Sequence, residues 1–508
     1  AKNRINASIF ELMTVGLFFG LGVFSNTEIL ELPAAFSIVL LLSICLMLFS
    51  ALHSWLKGWI YPIFIVSILI MDTLSVRSGF FNYTSYAYGL NYDTETDYSL
   101  DNIYKAANDS IAYSNSHDNF IKILNNWKAR TKEDKPKLII LNTSGGGSRS
   151  ALWTVAVMQK IDKELNGNVS DHLQFISGAS GGMIGAAYYR QLLLEHRLGK
   201  IDDLYDKKYC DNIGKDMLNK LAFMASTNDI FIRYQTFEIN NNRYTKDRGY
   251  AFEQQLHKNT EGKLNHSLAY YTPYERNAIV PTILLSPTIV NDGRRLLLGA
   301  QSFQFLTSDY NHKTRNINSS ENVDYRTLLK KQKTGDIRFS SALRASASFP
   351  FVMPMITLPT NPGIQLMDAG IRDNYGGKTA LAMLYSMEDW IKENTSGVII
   401  LQIRDTKKIL DDESYGQVSF IDKITLPFGN MYKNFPRVQD FNQDELMRMA
   451  KDAFDFEFNI VSFNLLEKRS ERISLSWHLT KQEKKKILNA INSTNNKRAL
   501  ERLKKLLQ

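Results

Sequence analysis

The chain has 508 residues, 44% hydrophobic and 22% charged, which excludes a disordered protein and leaves room for one large domain with appendages. Its two cysteines, Cys45 and Cys210, exclude a disulfide framework, and no Cys/His cluster has zinc spacing. The net charge of +9 is a mild basic bias that suits an anionic membrane surface; no DNA- or RNA-binding motif accompanies it, so nucleic acid is not an expected partner.

The first 78 residues differ in kind from the rest. Ala34–Leu52 is an uncharged run of 19 residues, long enough to span hydrocarbon. Ile9–Phe24 and Trp59–Leu74 are shorter apolar runs that carry Glu11, and Pro62 with Asp72. Three apolar segments do not fit a cleavable signal peptide. They predict about three transmembrane helices over 1–78 and a multi-pass protein of the cell (inner) membrane. Lys2, Arg4 and Lys57 flank the segments on one side. Glu28 and Glu31 lie between the first two, and Asp93, Glu95, Asp97 and Asp101 follow the third. By the positive-inside rule the remainder of the chain is extracytoplasmic.

Residues 79–135 read as a juxtamembrane helical linker, with Phe120, Ile121, Leu124 and Trp127 on one helical face. Beyond the charged hinge at 132–137 the pattern becomes α/β. Strands are expected at Lys137–Asn142, Leu173–Ser177, Ile279–Leu285, Arg295–Leu298 and Val398–Ile403. Helices are expected at Ser148–Leu165 and Met183–His196. Strands alternating with helices predict a mostly parallel central sheet covered on both faces.

Three loops at predicted strand ends carry the chemistry. After the first strand come Gly145, Gly146 and Gly147, then Ser148 and Arg149, at the start of a helix. Contiguous glycines at a helix N-terminus expose backbone amides to an anion. The P-loop lysine is missing and no third glycine completes a dinucleotide fingerprint, which leaves an oxyanion hole, or a tight turn without function. After the second strand, Gly178-Ala179-Ser180-Gly181-Gly182 is a G-x-S-x-G nucleophile elbow. A serine needs a base. His478 is the one histidine beyond residue 312, and it sits beside a helix cap at Thr480 with Glu483 closing a capping box. Asp368, at the end of an apolar strand and followed by Ala369 and Gly370, is better placed.

These motifs, in this order, resemble the patatin-like phospholipase family, here in a membrane-anchored, bacterial form. That family carries a G-G-G-x-R loop, a G-x-S-x-G elbow and a D-G-[G/A] motif. The counterparts are Gly145–Arg149, Gly178–Gly182 and Asp368-Ala369-Gly370, with Ala369 in place of the family's first glycine. Ala342–Pro354, Ser286–Leu298 and the Trp477 segment add to the likeness. The resemblance covers about 137–479 and implies a three-layer α/β/α catalytic domain over 136–480, followed by a basic amphipathic helix over 481–508. It also implies a Ser180–Asp368 dyad without histidine, an oxyanion hole from Gly145, Gly146, Gly147 and Arg149, no cofactor or metal, and an acyl ester of a membrane lipid as substrate. Two other readings stay open: an esterase using Ser180, an acid and His478, and a non-catalytic subunit of a membrane complex that retains the fold. Protein partners are not legible.

Overall fold

The computed structural model describes residues 2–23, 32–78, 83–229, 233–307, 321–349, 352–406, 438–465 and 473–508. Glu28 and Glu31, used above for orientation, lie outside the described residues.

Ten strands make the main sheet: β1 Leu138–Thr143, β2 Leu173–Gly178, β3 Thr282–Leu285, β4 Thr288–Ile289, β5 Arg295–Gly299, β6 Asn322–Asp324, β7 Ile356–Thr357, β8 Gln365–Met367, β9 Val398–Arg404 and β10 Phe458–Asn464. The spatial order is β7-β8-β4-β5-β3-β2-β1-β9-β10, with β6 beside β5. From β3 through β10 all pairings are parallel. At β5 the sheet turns antiparallel and continues so through β4, β8 and β7.

The inner parallel strands β1, β2, β3 and β9 are buried on both faces, and their side chains alternate between two cores. Ile139, Leu141, Ile399 and Leu401 point to one core, with helices Gly147–Glu164 and Ser180–Arg197. Leu138, Ile140, Val398 and Ile400 point to the other, with Phe120, Trp127, Met383 and Ile391. The expected face of Ser110–Thr131 holds for Phe120, Leu124 and Trp127; Ile123 is also buried, while Ile121 is half-buried. Residues 83–131 are therefore packed into the body of the main sheet: Tyr86 bridges to Thr357, and Thr96–Asp97 pairs with Thr360–Asn361.

The expected elements fall within a few residues of their predicted bounds, with one informative shift. The second helix starts at Ser180 itself, three residues before Met183. Strand β10 has no counterpart among the expected elements. The C-terminal region forms two helices, Lys481–Ala490 and Thr494–Leu506, not one. Ile487 and Leu503 are fully buried, so this pair packs on the domain and turns its lysines and arginines outward.

At the N-terminus, Lys2–Val23, Ala34–Leu56 and Ile60–Ser78 are helices. Among the described residues, Ala34–Arg77 is the one helical stretch long and apolar enough to cross a bilayer, and few of its side chains are buried in the fold. The start of this stretch and the segment at 83–84 beyond it meet neighbouring parts of the domain. The Ala34 amide donates to Asn219 Oδ1 at 2.9 Å. Just past Ser78, the Thr84 carbonyl accepts from Arg233 Nη1 at 3.2 Å, and Arg233 is held by Asp229. Ala34–Leu56 alone runs about 34 Å at 1.5 Å per residue, so Ile60–Ser78 runs back toward the domain. The chain breaks at Lys57, whose φ is 50°. The first helix meets the domain by its C-terminal end, where the Gly22 carbonyl accepts from Gln235 Nε2 at 2.6 Å.

Candidate active site

Parallel pairing delivers the loops after β1, β2 and β9 to one edge of the sheet, since Thr143 is in register with both Gly178 and Ile403. Ser180 sits at the sharp turn from β2 into its helix, with φ 49°. A non-glycine residue in that region stores roughly 1–3 kcal/mol of strain and persists only where its surroundings hold it. The glycines around it are required by contact. A β-carbon on Gly178 would stand 2.3 Å from the Thr143 carbonyl oxygen, one on Gly182 2.3 Å from that of Ser144, and one on Gly181 1.9 Å from that of Gly147. The elbow and the glycine-rich loop thus touch backbone to backbone.

Asp368 follows β8 and lies close enough to the Ser180 side chain for that hydroxyl to favour its ionised form. The Gly370 amide donates to Asp368 Oδ1 at 2.7 Å. Burial pushes the Asp368 carboxyl up to about 6; the Ser180 hydroxyl and the Gly370 amide oppose that rise without cancelling it. Ala369 has φ −61° and ψ −27°, a conformation open to any residue, so alanine replaces glycine there without strain. Gly370 is different: a β-carbon would lie 2.9 Å from Asp368 Oδ1 and 2.9 Å from Asn374 Oδ1.

The three glycines divide their roles. The Gly145 amide is taken by Asn374, whose carbonyl and side-chain oxygens both lie at 3.2 Å. The amides of Gly146 and Gly147 have no acceptor among the described residues, and Gly147 has φ 59°. Gly145 borders Ser180: a β-carbon there would be 3.4 Å from Ser180 Cβ. Arg149 does not point at the reacting centre. Its Nε and Nη2 bind Asp405 Oδ2 at 3.1 and 2.5 Å, and its Nη1 binds the Ile473 carbonyl at 2.7 Å. Asp405 also accepts from Ser144 Oγ at 3.0 Å and returns its own amide to that hydroxyl at 2.8 Å. The arginine therefore neutralises a buried carboxylate and holds the loop.

His478 lies away from this centre, half exposed and paired with Asp216. Among the described residues no histidine meets Ser180 or Asp368. Sequence reasoning missed Asp405, Asn374 as the partner of Gly145, and the Ser346 carbonyl that accepts from the Ser180 amide. Asp405 left a signal: it is a carboxylate just past the C-terminal end of an expected parallel strand, where α/β sheets gather their sites.

The patatin-like phospholipase family model matches residues 141–381, a segment that contains Gly145–Gly147, Ser180 and Asp368. Comparison with curated protein sequences found no match. Among solved structures the chain is similar to VipD from Legionella pneumophila, at 11% identity and a TM-score of 0.30, over 72% of this chain and 67% of that one. A serine elbow, an aspartate facing it and a glycine-rich loop with free amides all fall inside the matched segment. Residues 141–381 form a patatin-like phospholipase domain, of a family of lipid acyl hydrolases.

Proposed function

We propose that this protein is a membrane-anchored lipid acyl hydrolase that cleaves acyl esters of phospholipids or lysophospholipids with a Ser180–Asp368 dyad. The observation that carries the reading is a buried Asp368 carboxyl close enough to Ser180 to feel its hydroxyl, with its affinity for a proton raised by burial. Ser180 Oγ attacks the ester carbonyl as its proton passes to Asp368. The carbonyl oxygen, now negative, takes hydrogen bonds from the Gly146 and Gly147 amides, each worth roughly 3–4 kcal/mol to the transition state. When the C–O bond breaks, Asp368 returns the proton to the departing alcohol, leaving an acyl-enzyme. Water then repeats the sequence and releases the fatty acid. Arg149, Asp405 and Ser144 keep the loop in position.

The anchor is read as three spans, with the domain on the extracytoplasmic side of the cell membrane. The exposed apolar side chains of Ala34–Arg77, among them Phe36, Leu42, Leu46, Phe64 and Leu69, support a lipid setting. The meeting of Gly22, Ala34 and Thr84 with neighbouring parts of the domain supports putting Lys2, Arg4 and Lys57 at the far ends of their helices. Reporter fusions at residue 57 and after residue 83 test the side; a cytoplasm-only reporter active after residue 83 would reverse it.

The test of the chemistry is labelling with a fluorophosphonate probe together with ester hydrolysis. Wild type and His478→Ala should both react, whereas Ser180→Ala and Asp368→Asn should not hydrolyse ester. Loss of activity in His478→Ala with retention in Asp368→Asn would move the chain to the Ser–His–Asp class. Absence of labelling and hydrolysis in folded wild type would favour the non-catalytic subunit.

A further inference from the structure

Two segments hold the loops of the site: one exposes Leu475, the other Val438 and Phe441. The first is 473–480. The Ser476 carbonyl accepts from the Ser148 amide at 3.1 Å, and a β-carbon on Gly147 would stand 2.7 Å from it. This segment therefore holds the glycine-rich loop. Its next residue back, Leu475, is 67% exposed. The second is the helix 438–453. Gln439 donates to the Ile371 carbonyl at 2.6 Å and accepts from the Asn374 amide at 3.3 Å, which holds the loop after Asp368. On the same helix Val438 and Phe441 are 53% and 47% exposed. Exposed leucine on one flank and valine with phenylalanine on the other give apolar surface beside both loops that hold the site.

The first segment is also tied to the start of the apolar helix. Ala34 is bound to Asn219; two residues before Asn219, the Met217 amide donates to the Trp477 carbonyl at 3.0 Å; Ser476 then binds Ser148. Three hydrogen-bonded steps thus join the point where the apolar stretch leaves the domain to the glycine-rich loop. Tyr83 and Tyr234, both exposed, lie near that point, Tyr234 with its hydroxyl against Gly22. Amphipathic aromatic rings at such a level suit a headgroup layer. The helix that follows Leu479 opens with exposed Lys481, Lys485 and Lys486, which complement lipid phosphate.

We propose that Leu475 on one side of the site, with Val438 and Phe441 on the other, forms a bilayer-contacting rim that seats the mouth of the site in the headgroup layer. The occupant is the lipid surface itself. The proposal rests on the reading of Ala34–Arg77 as membrane-embedded and deepens the hydrolase reading, since it states how a bilayer ester reaches Ser180.

The test uses the full chain in phosphatidylcholine nanodiscs, in a Cys45→Ala, Ser180→Ala background so that catalysis plays no part. An environment-sensitive fluorophore is placed at Leu475→Cys, Phe441→Cys or Asp455→Cys, one at a time. Asp455 is an exposed control just before β10, at the opposite end of the sheet from the site. Quenching by doxyl-labelled lipid is expected at 475 and 441 and not at 455. No quenching at 475 and 441, or equal quenching at all three, would overturn the rim. With Ser180 restored, Leu475→Asp should lower hydrolysis of bilayer phospholipid by about tenfold or more and leave a soluble short-chain ester within about twofold. An equal fall on both substrates would make Leu475 a structural residue and overturn the proposal. Quenching at 475 and 441 in a protein whose wild type hydrolyses no ester would uphold the rim and sink the hydrolase reading alone.

Discussion

The backbone amides of Ser180 and Ala369 share one acceptor: each donates to the carbonyl oxygen of Ser346, and each lies 3.2 Å from it. The neighbouring Ser348 carbonyl takes the Asp368 amide at 3.0 Å. One short segment thus fixes the nucleophile turn and the aspartate loop together. It follows the helix Phe339–Ala345, which is clamped from within: buried Glu253 accepts from Ser340, Ser341 and Arg344 at 2.6, 2.7 and 2.8 Å.

Glu253→Ala is therefore expected to loosen the dyad from a distance. It leaves Arg344 buried without its carboxylate, which costs about 3–5 kcal/mol of stability. In protein that remains folded, kcat should fall more than KM, because a shifted Ser346 carbonyl displaces both reacting groups without touching substrate. Denaturant unfolding and steady-state kinetics check the two parts. An unchanged kcat in a strongly destabilised variant would show that the clamp serves the fold alone.

The raised Asp368 carboxyl sets a pH dependence. The base must be ionised, so kcat/KM should rise about tenfold per pH unit below pH 6 and level off above it. The stability effect has the opposite sense. The folded group binds its proton more tightly than the unfolded one, about 6 against 3.8. Between those values the folded state holds more protons, so this group's contribution to stability falls as pH rises through that window. Asp368→Asn removes the buried charge and should stabilise the protein at pH 8 by up to about 3 kcal/mol, with the gain vanishing near pH 4. Thermal melts of both proteins at the two pH values check this.

The aspartate motif should tolerate exchange at one position and not at the next. Ala369→Gly meets no conformational demand and is expected to stay within about threefold of wild type in kcat. Gly370→Ala puts a methyl group into the space between Asp368 and Asn374, displaces the amide that holds the carboxylate, and should lower kcat by about 10²-fold. Equal effects of the two exchanges would contradict the close approach seen at Gly370.

Arg149 and Asp405 should behave as a unit. Arg149→Met leaves a buried carboxylate beside Gly146, where a β-carbon would stand 2.6 Å from Asp405 Oδ2. That negative charge next to the amides should lower kcat well beyond its effect on KM, with a loss of about 3–5 kcal/mol in stability. The double variant Arg149→Met, Asp405→Asn should recover part of both losses. Strict additivity of the two single changes would separate the residues.

The parts of this protein that are legible in its sequence are those written locally. Glycines on both sides of Ser180, three glycines before Arg149, and an apolar run ending at Asp368 each encode a turn at a strand end, so the candidate dyad could be named from pattern alone. The 19-residue apolar run was legible for the same reason. What pairs those turns was not. Strand β10 is an edge strand with buried and half-buried side chains mixed along it, and it exists because it lies parallel to β9. The sharing of the Ser346 carbonyl, the capture of the Gly145 amide by Asn374 and the neutralisation of Asp405 by Arg149 join residues far apart in the chain. Backbone carbonyls carry no sequence signal, and a buried charge reveals its partner only once packing has removed water from both. Only the tertiary structure could decide that Arg149 faces Asp405, and that burial raises the proton affinity of Asp368.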